Sequence, residues 1–170
     1  HSWSYGLPLD EILEKETLDL SDIIQITYRG IVYNSGNPNP SGWTWAGLEQ
    51  DFGFAPNKVR LNVENTSTIA DIEDAISDGV IVVAAAGNNN FHCVSDGDPD
   101  FYNEVVISTV GAHYYNRGST PANSPNTICV GALSNHADFK RSSYSNFGPN
   151  IDVFAPGNNI LSAYGNTGIG

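Results

Sequence analysis

The run Ala84-Ala85-Ala86-Gly87-Asn88-Asn89-Asn90 holds the residue types best suited to chemistry in this sequence. Small side chains at Ala85 and Ala86 let another chain lie close to the backbone, and Gly87 permits a sharp exit turn. Asn88 then presents a side-chain amide. An amide N–H aimed at a developing alkoxide assists acyl transfer, and removing such a donor costs about 3–4 kcal/mol of transition-state stabilisation. The plainer alternative is an Asx-type turn in which Asn88 bonds only to nearby backbone. These residues alone leave both readings open.

Other groups carry less. Asp96, Asp98 and Asp100 alternate as in a calcium loop, but the Gly and distal Glu of an EF-hand are missing, so an acidic solvated loop stands as the alternative to a structural calcium. Asp152 is a further acid that such an ion could touch. His92-Cys93 has no partners at metal-ligand spacing, which argues against zinc. His1, His92, His113 and His136 read as terminal, loop and turn residues, solvated or hydrogen-bonded, rather than as a catalytic base. The serines of Ser142-Ser143-Tyr144-Ser145-Asn146-Phe147 read as parts of a hairpin. Asn65-Thr66-Ser67 matches a glycosylation sequon at a frequency close to chance. Cys93 and Cys129 lack C-x-x-C spacing and read as two thiols, with a disulfide as the alternative.

Elements must position the Asn88 run. Thr66, Ser67 and Thr68 are N-cap candidates for a helix whose Ile69, Ile72, Ala75 and Ile76 form one apolar stripe. Asp71, Glu73 and Asp74 fall in or near its first turns, where the helix dipole favours acids. Asp78-Gly79 ends it, glycine taking the left-handed cap. Residues 80–86 are apolar at every position and β-branched at the start, which predicts a parallel strand buried on both faces. Residues 127–133 and 151–154 predict two more strands, the last closed by Ala155-Pro156-Gly157. Helix feeding parallel strand, repeated, gives an α/β, doubly wound, mainly parallel sheet with its ligands at the carboxyl ends of the strands. Upstream, residues 1–6 read as a strand, 7–20 as a short helix and 22–32 as an extended segment. Residues 33–57 are rich in Gly, Pro and Asn and read as a long loop, part of an insertion reaching to about residue 65. Its Trp43, Trp45, Phe52 and Phe54 would anchor it, either as a packed loop or as a contact surface for another subunit.

Composition narrows the partners. The 170 residues carry 7 basic and 19 acidic side chains, a net charge of −12, which argues against nucleic acid or an anionic membrane as partner. Hydrophobic residues make up 40%, enough for a core, and the longest apolar run, Val80 to Ala86, is far too short to span a bilayer. The acidic balance suits a protein working outside the cytoplasm. The chain starts at His1, inside what reads as a strand, as expected of a segment of a longer polypeptide.

In ordered combination, three stretches resemble the subtilisin-like serine proteases (subtilases). Residues 74–90, DAISDGVIVVAAAGNNN, are similar to the helix and strand that lead to the oxyanion Asn of that family. Residues 126–163 resemble the stretch that follows: a strand ending in V-G-A, a variable turn, an S-x-x-S-x-F/Y-G-P hairpin and D-V-x-A-P-G, here Asp152 to Gly157. HSWSYG at 1–6 is similar to the strand that pairs with bound substrate and lines the P1 side-chain pocket. That motif and the insertion also resemble subtilase-like proteins of bacteriophages.

The resemblance implies a partial subtilisin-like catalytic domain over residues 1–170 of a parent that cleaves a polypeptide substrate through an acyl-enzyme. It implies Asn88 as oxyanion donor; Ser2, Trp3 and Ser4 as an added-strand contact to the substrate; and Ala85, Ala86 and Gly87 as the far wall of the P1 pocket. No cofactor is required for such chemistry. The family's D-[ST]-G, H-G-T-H and G-T-S-M-A-S-P motifs are not in the sequence, so the isolated chain is expected to be inactive, with the triad falling outside both ends. Partners would then be the remaining segments of the same protein. The alternative is a non-catalytic structural protein on a subtilase scaffold, packed among virion subunits; location is accordingly extracellular or virion-associated.

Overall fold

The computed structural model describes residues 20–34, 42–54, 61, 66–134 and 139–160. The predicted strand at 1–6 and nearly all of the predicted helix at 7–20 lie outside these residues. Among the described residues two sheets form, one antiparallel and one parallel.

The alternating segment at 22–32 folds as a hairpin rather than one extended run. Strand β1 (Ile23–Tyr28) turns at Arg29-Gly30 into β2 (Ile31–Asn34). Arg29 and Gly30 take φ of 49° and 81°, the left-handed pair that a two-residue hairpin turn requires. The turn is pinned from outside: Arg29 Nε donates to Asp100 at 2.8 Å and the Arg29 backbone N–H to Asn103 Oδ1 at 2.8 Å.

The Gly/Pro/Asn-rich stretch holds helix α1 (Trp45–Phe52), which corrects the long-loop reading of 33–57 over those residues. Its ends are conventional. Thr44 Oγ1 accepts from Gly47 N at 3.0 Å, and Gly53, at φ 64°, closes the other end. Phe52 and Phe54 are buried with Leu48, Ile23 and Ile26, while Trp43 and Trp45 pack half-buried against this cluster. Trp43 Nε1 donates to Ile23 O at 3.2 Å. The four aromatic anchors thus face their own chain.

Helix α2 (Thr66–Ser77) starts at the first of the three N-cap candidates, so Ser67 and Thr68 lie inside it and Asp71, Glu73 and Asp74 fall beyond its first turn. Gly79, at φ 88°, lets the chain reverse, and Val80 N bonds back to Ala75 O at 3.0 Å. Strand β3 (Val83–Ala85) follows. Downstream, β4 (Glu104–Ile107) and β5 (Gly111–Tyr114) complete the antiparallel sheet in the order β2-β1-β4-β5. Strands β6 (Ile128–Leu133) and β7 (Val153–Pro156) complete the parallel sheet in the order β3-β6-β7. Its register sets Val83 beside Ile128, and Val130 between Ala85 and Val153.

A helix feeding parallel strands is the predicted α/β layer. The expectation of burial on both faces does not hold for the described residues: Ala84, Ala86 and Cys129 are buried, whereas Ile81 is 78% and Val83 61% exposed on the opposite face. An apolar run records what the chain can bury, not which neighbour covers it. Glu73 fastens α2 to the loop before β6, accepting from Ser124 Oγ at 2.8 Å and Asn126 Nδ2 at 2.7 Å. No helix among the described residues is long and apolar enough to cross a membrane.

Candidate functional site

The carboxyl ends of β3, β6 and β7 open on one side into a cleft of about 420 Å³. Ala85, Ala86, Gly87 and Asn88 line it from the end of β3, together with Gly131 and Tyr144. Four of the residues singled out in the sequence therefore come together at one place. Ser2, Trp3 and Ser4 lie outside the described residues.

The segment that leaves β3 is fixed almost atom by atom. Ala86 N donates to Val130 O at 2.9 Å, which extends the sheet pairing one residue past β3. Gly87 turns at φ 103°, a conformation that side chains rarely tolerate. Gly87 O accepts from Asn146 N at 3.0 Å, Asn90 N donates to Tyr144 O at 2.8 Å, and Phe91 O accepts from Phe147 N at 2.9 Å. Arg141, which stacks over Phe147, donates to Asn90 Oδ1 at 2.8 Å. Asn88 sits in the middle of this tethered run, exposed, and its amide makes no hydrogen bond to the described residues. The Asx-turn alternative needs a bond from Asn88 to the backbone just ahead; the Asn90 N–H that would serve it is committed to Tyr144. A tethered loop thus carries the exposed Asn88 amide at the rim of a cleft, an arrangement able to bind an oxygen that gains negative charge.

The remaining polar groups singled out in the sequence are occupied elsewhere. Ser142 and Ser145 are buried; Ser145 Oγ accepts from Ala132 N at 2.9 Å and donates to Asn146 O at 2.9 Å within the hairpin, while Ser142 Oγ accepts from Asn158 Nδ2 at 3.2 Å. His113 Nε2 lies 3.2 Å from Val110 O, in the antiparallel sheet, and the His92 ring packs against Phe147. His1, His136 and Asn65 are outside the described residues. Asp96 accepts from Gly97 N and Asp98 from Asp100 N, while Asp100 holds Arg29 and Asn103. The Arg29 guanidinium, through its hydrogen bond, keeps the Asp100 carboxyl below the usual carboxylate range. These acids knit a turn to the β1–β2 hairpin, and among the described residues no group of three or more His, Cys, Asp or Glu side chains is placed to hold a metal. Asp152 accepts from Cys129 N at 2.7 Å. Cys93 and Cys129 are buried and no disulfide joins them. Burial, with the neighbouring Cys93 and Asp152, pushes the Cys129 thiol up to about 12.

Sequence reasoning missed Tyr144 and Gly157 as parts of the cleft lining. Tyr144 OH donates to Gly157 O at 3.1 Å, and Gly157 has no room for a side chain, since a Cβ would stand 2.6 Å from that of Ala132. It also missed Asn146, 5% exposed, whose side chain reaches Ala86, Asn89 and Phe91. The only signal was an amide between the serine and glycine of the hairpin motif.

Comparison with known proteins agrees with the resemblance. A family model described as the Subtilase family, Peptidase S8, matches residues 33–169. Alkaline protease 1 of Emericella nidulans is 37% identical over 93 residues, 55% of this chain and 17% of that protein. Subtilisin-like protease 1 of Trichophyton rubrum is 30% identical over 142 residues, 78% of this chain and 23% of that protein. The protein of the same name from Arthroderma gypseum is 36% identical over 89 residues, 52% of this chain and 13% of that protein. The chain thus spans less than a quarter of the length of each of these relatives. All three are fungal, and nothing in these matches supports the phage-encoded type.

Proposed function

Given that this chain belongs to the subtilase family, we propose that it forms the oxyanion and substrate-cleft side of a subtilisin-like serine endopeptidase. The observation that carries this reading is the Asn88 amide, exposed on a tethered loop at the carboxyl end of a parallel strand. Elsewhere in the protein a serine attacks the scissile carbonyl, a histidine moves the proton and an aspartate fixes the histidine's tautomer. As the carbonyl oxygen becomes an alkoxide, the Asn88 N–H donates to it. Ala85, Ala86 and Gly87 form a wall of the pocket for the side chain preceding the scissile bond. Ser2, Trp3 and Ser4 pair with the substrate backbone as an added strand. The substrate is a polypeptide, the chemistry requires no cofactor, and a calcium ion, where bound, braces loops without entering the reaction. The names of the relatives, all proteases, favour a protease over a virion scaffold, and the acidic balance of the chain suits work outside the cell.

The test uses the full-length protein. The wild type hydrolyses peptides and is labelled by a fluorophosphonate serine probe. Asn88→Leu lowers kcat about 10²–10³-fold with KM within about 3-fold, as expected for a donor used only in the transition state. An unlabelled wild type sinks the endopeptidase reading. An Asn88→Leu enzyme of undiminished kcat sinks the oxyanion role.

A further inference from the structure

Asn146 is not among the residues that line the cleft, yet it touches the Asn88 loop on both sides. Ahead of Asn88, its Nδ2 donates to Ala86 O at 2.8 Å and its backbone N donates to Gly87 O at 3.0 Å. Beyond Asn88, its Oδ1 accepts from Asn89 N at 3.2 Å and from Phe91 N at 3.0 Å. The bond to Ala86 is buried and those from Asn89 and Phe91 are part-buried, with Asn146 itself 5% exposed. The fit depends on Gly87, where a Cβ would stand 2.7 Å from Asn146 Nδ2. The position calls for a donor and a twofold acceptor at the end of one methylene. Asparagine supplies both; aspartate lacks the donor, serine lacks the reach and glutamine is one carbon too long.

We infer that Asn146 is a positioning residue that aims the Asn88 amide, by clamping residues 86–91 into one geometry before substrate arrives. The inference rests on the oxyanion role proposed for Asn88 and deepens it. An oxyanion donor is effective because it needs no reorganisation at the moment of reaction. With Ala86, Asn89 and Phe91 released, the loop between them samples displaced positions, and a misplacement near 1 Å costs about 100-fold in rate. Asn146 acts on the transition state only through Asn88. Its removal therefore appears in kcat and not in KM.

The full-length enzyme tests this with Asn146→Ala, Asn146→Asp, Asn88→Ala and the Asn88→Ala/Asn146→Ala pair. Asn146→Ala is expected to lower kcat about 10–100-fold with KM within about 3-fold. Asn146→Asp keeps the acceptor, loses the donor to Ala86, and falls between it and the wild type. The double variant is expected to run within about 3-fold of Asn88→Ala, since no amide remains to be aimed. If Asn146→Ala does not fold by near-ultraviolet circular dichroism, Asn146→Asp carries the same comparisons. Losses that multiply in the double variant, or an effect confined to KM, overturn the inference. A slow Asn88→Ala enzyme beside an Asn146→Ala enzyme of wild-type speed overturns it alone. An Asn88→Ala enzyme of wild-type speed overturns the oxyanion role and this inference with it.

Discussion

Replacing Gly87 by alanine separates two effects that glycine substitutions usually mix. Gly87 has φ 103° and Gly97 has φ 93°, so alanine at either site is strained by a comparable amount, about 1–2 kcal/mol. The surroundings differ. A Cβ at Gly97 meets nothing within 4 Å, whereas at Gly87 it stands 2.7 Å from Asn146 Nδ2, a separation that real Cβ atoms do not adopt. Asn146 must therefore retreat and give up its bonds to Ala86, Asn89 and Phe91. At about 1 kcal/mol net for each hydrogen bond, that adds roughly 3 kcal/mol. Gly97→Ala is expected to destabilise by about 1–2 kcal/mol and Gly87→Ala by about 4–5 kcal/mol. The assay is urea unfolding of the full-length protein in the presence of a serine-protease inhibitor. In an Asn146→Ala background the obstruction is gone, and Gly87→Ala should add only the strain term of about 1–2 kcal/mol. A Gly87→Ala variant within about 0.5 kcal/mol of Gly97→Ala would refute the clamp, since ordinary surface substitutions stay within that range.

Glu73 gives a pH signature. Its hydrogen bonds from Asn126 and Ser124 hold its pKa below the ordinary 4.5. A carboxylate depressed on folding contributes stability that is fully present above that ordinary value and is lost as pH falls through the folded one. The stability gap between wild type and Glu73→Gln should accordingly be constant above about pH 5 and narrow below the ordinary 4.5; a gap that widens in acid would contradict the geometry. The thiols offer a burial test. At pH 8, with the Cys129 thiol pushed up to about 12, a maleimide should leave Cys93 and Cys129 of the folded protein unlabelled and label both in urea. Rapid labelling of the folded state would show that this core is open.

The Asn88 wall of the cleft was legible because its signals are contiguous: a β-branched strand, three alanines, a turning glycine and the amide. Helix α1 was not, although Thr44 and Gly53 cap it, because the surrounding Gly, Pro and Asn residues outweigh eight helical positions in any composition window. The hairpin of β1 and β2 hid in one alternating run, since Arg29 gives no outward sign of a left-handed φ. The exposure of the sheet face bearing Ile81 and Val83 fits a partial domain, which leaves apolar sheet faces uncovered. Burial belongs to a residue's neighbours, and no run of side chains names them. Asn146 was invisible because its partners come from a distant stretch of chain.

The close approach of Gly87 and Asn146 also constrains how this sequence can change. A side chain arriving first at position 87 collides with an amide that can retreat only by giving up its bonds. Loss of the amide first opens the space but slackens the loop that carries Asn88. Each single step crosses a less fit intermediate, and the order of the steps decides how deep it is. The pair is therefore expected to vary together among descendants of this chain, two distant sites drifting as one.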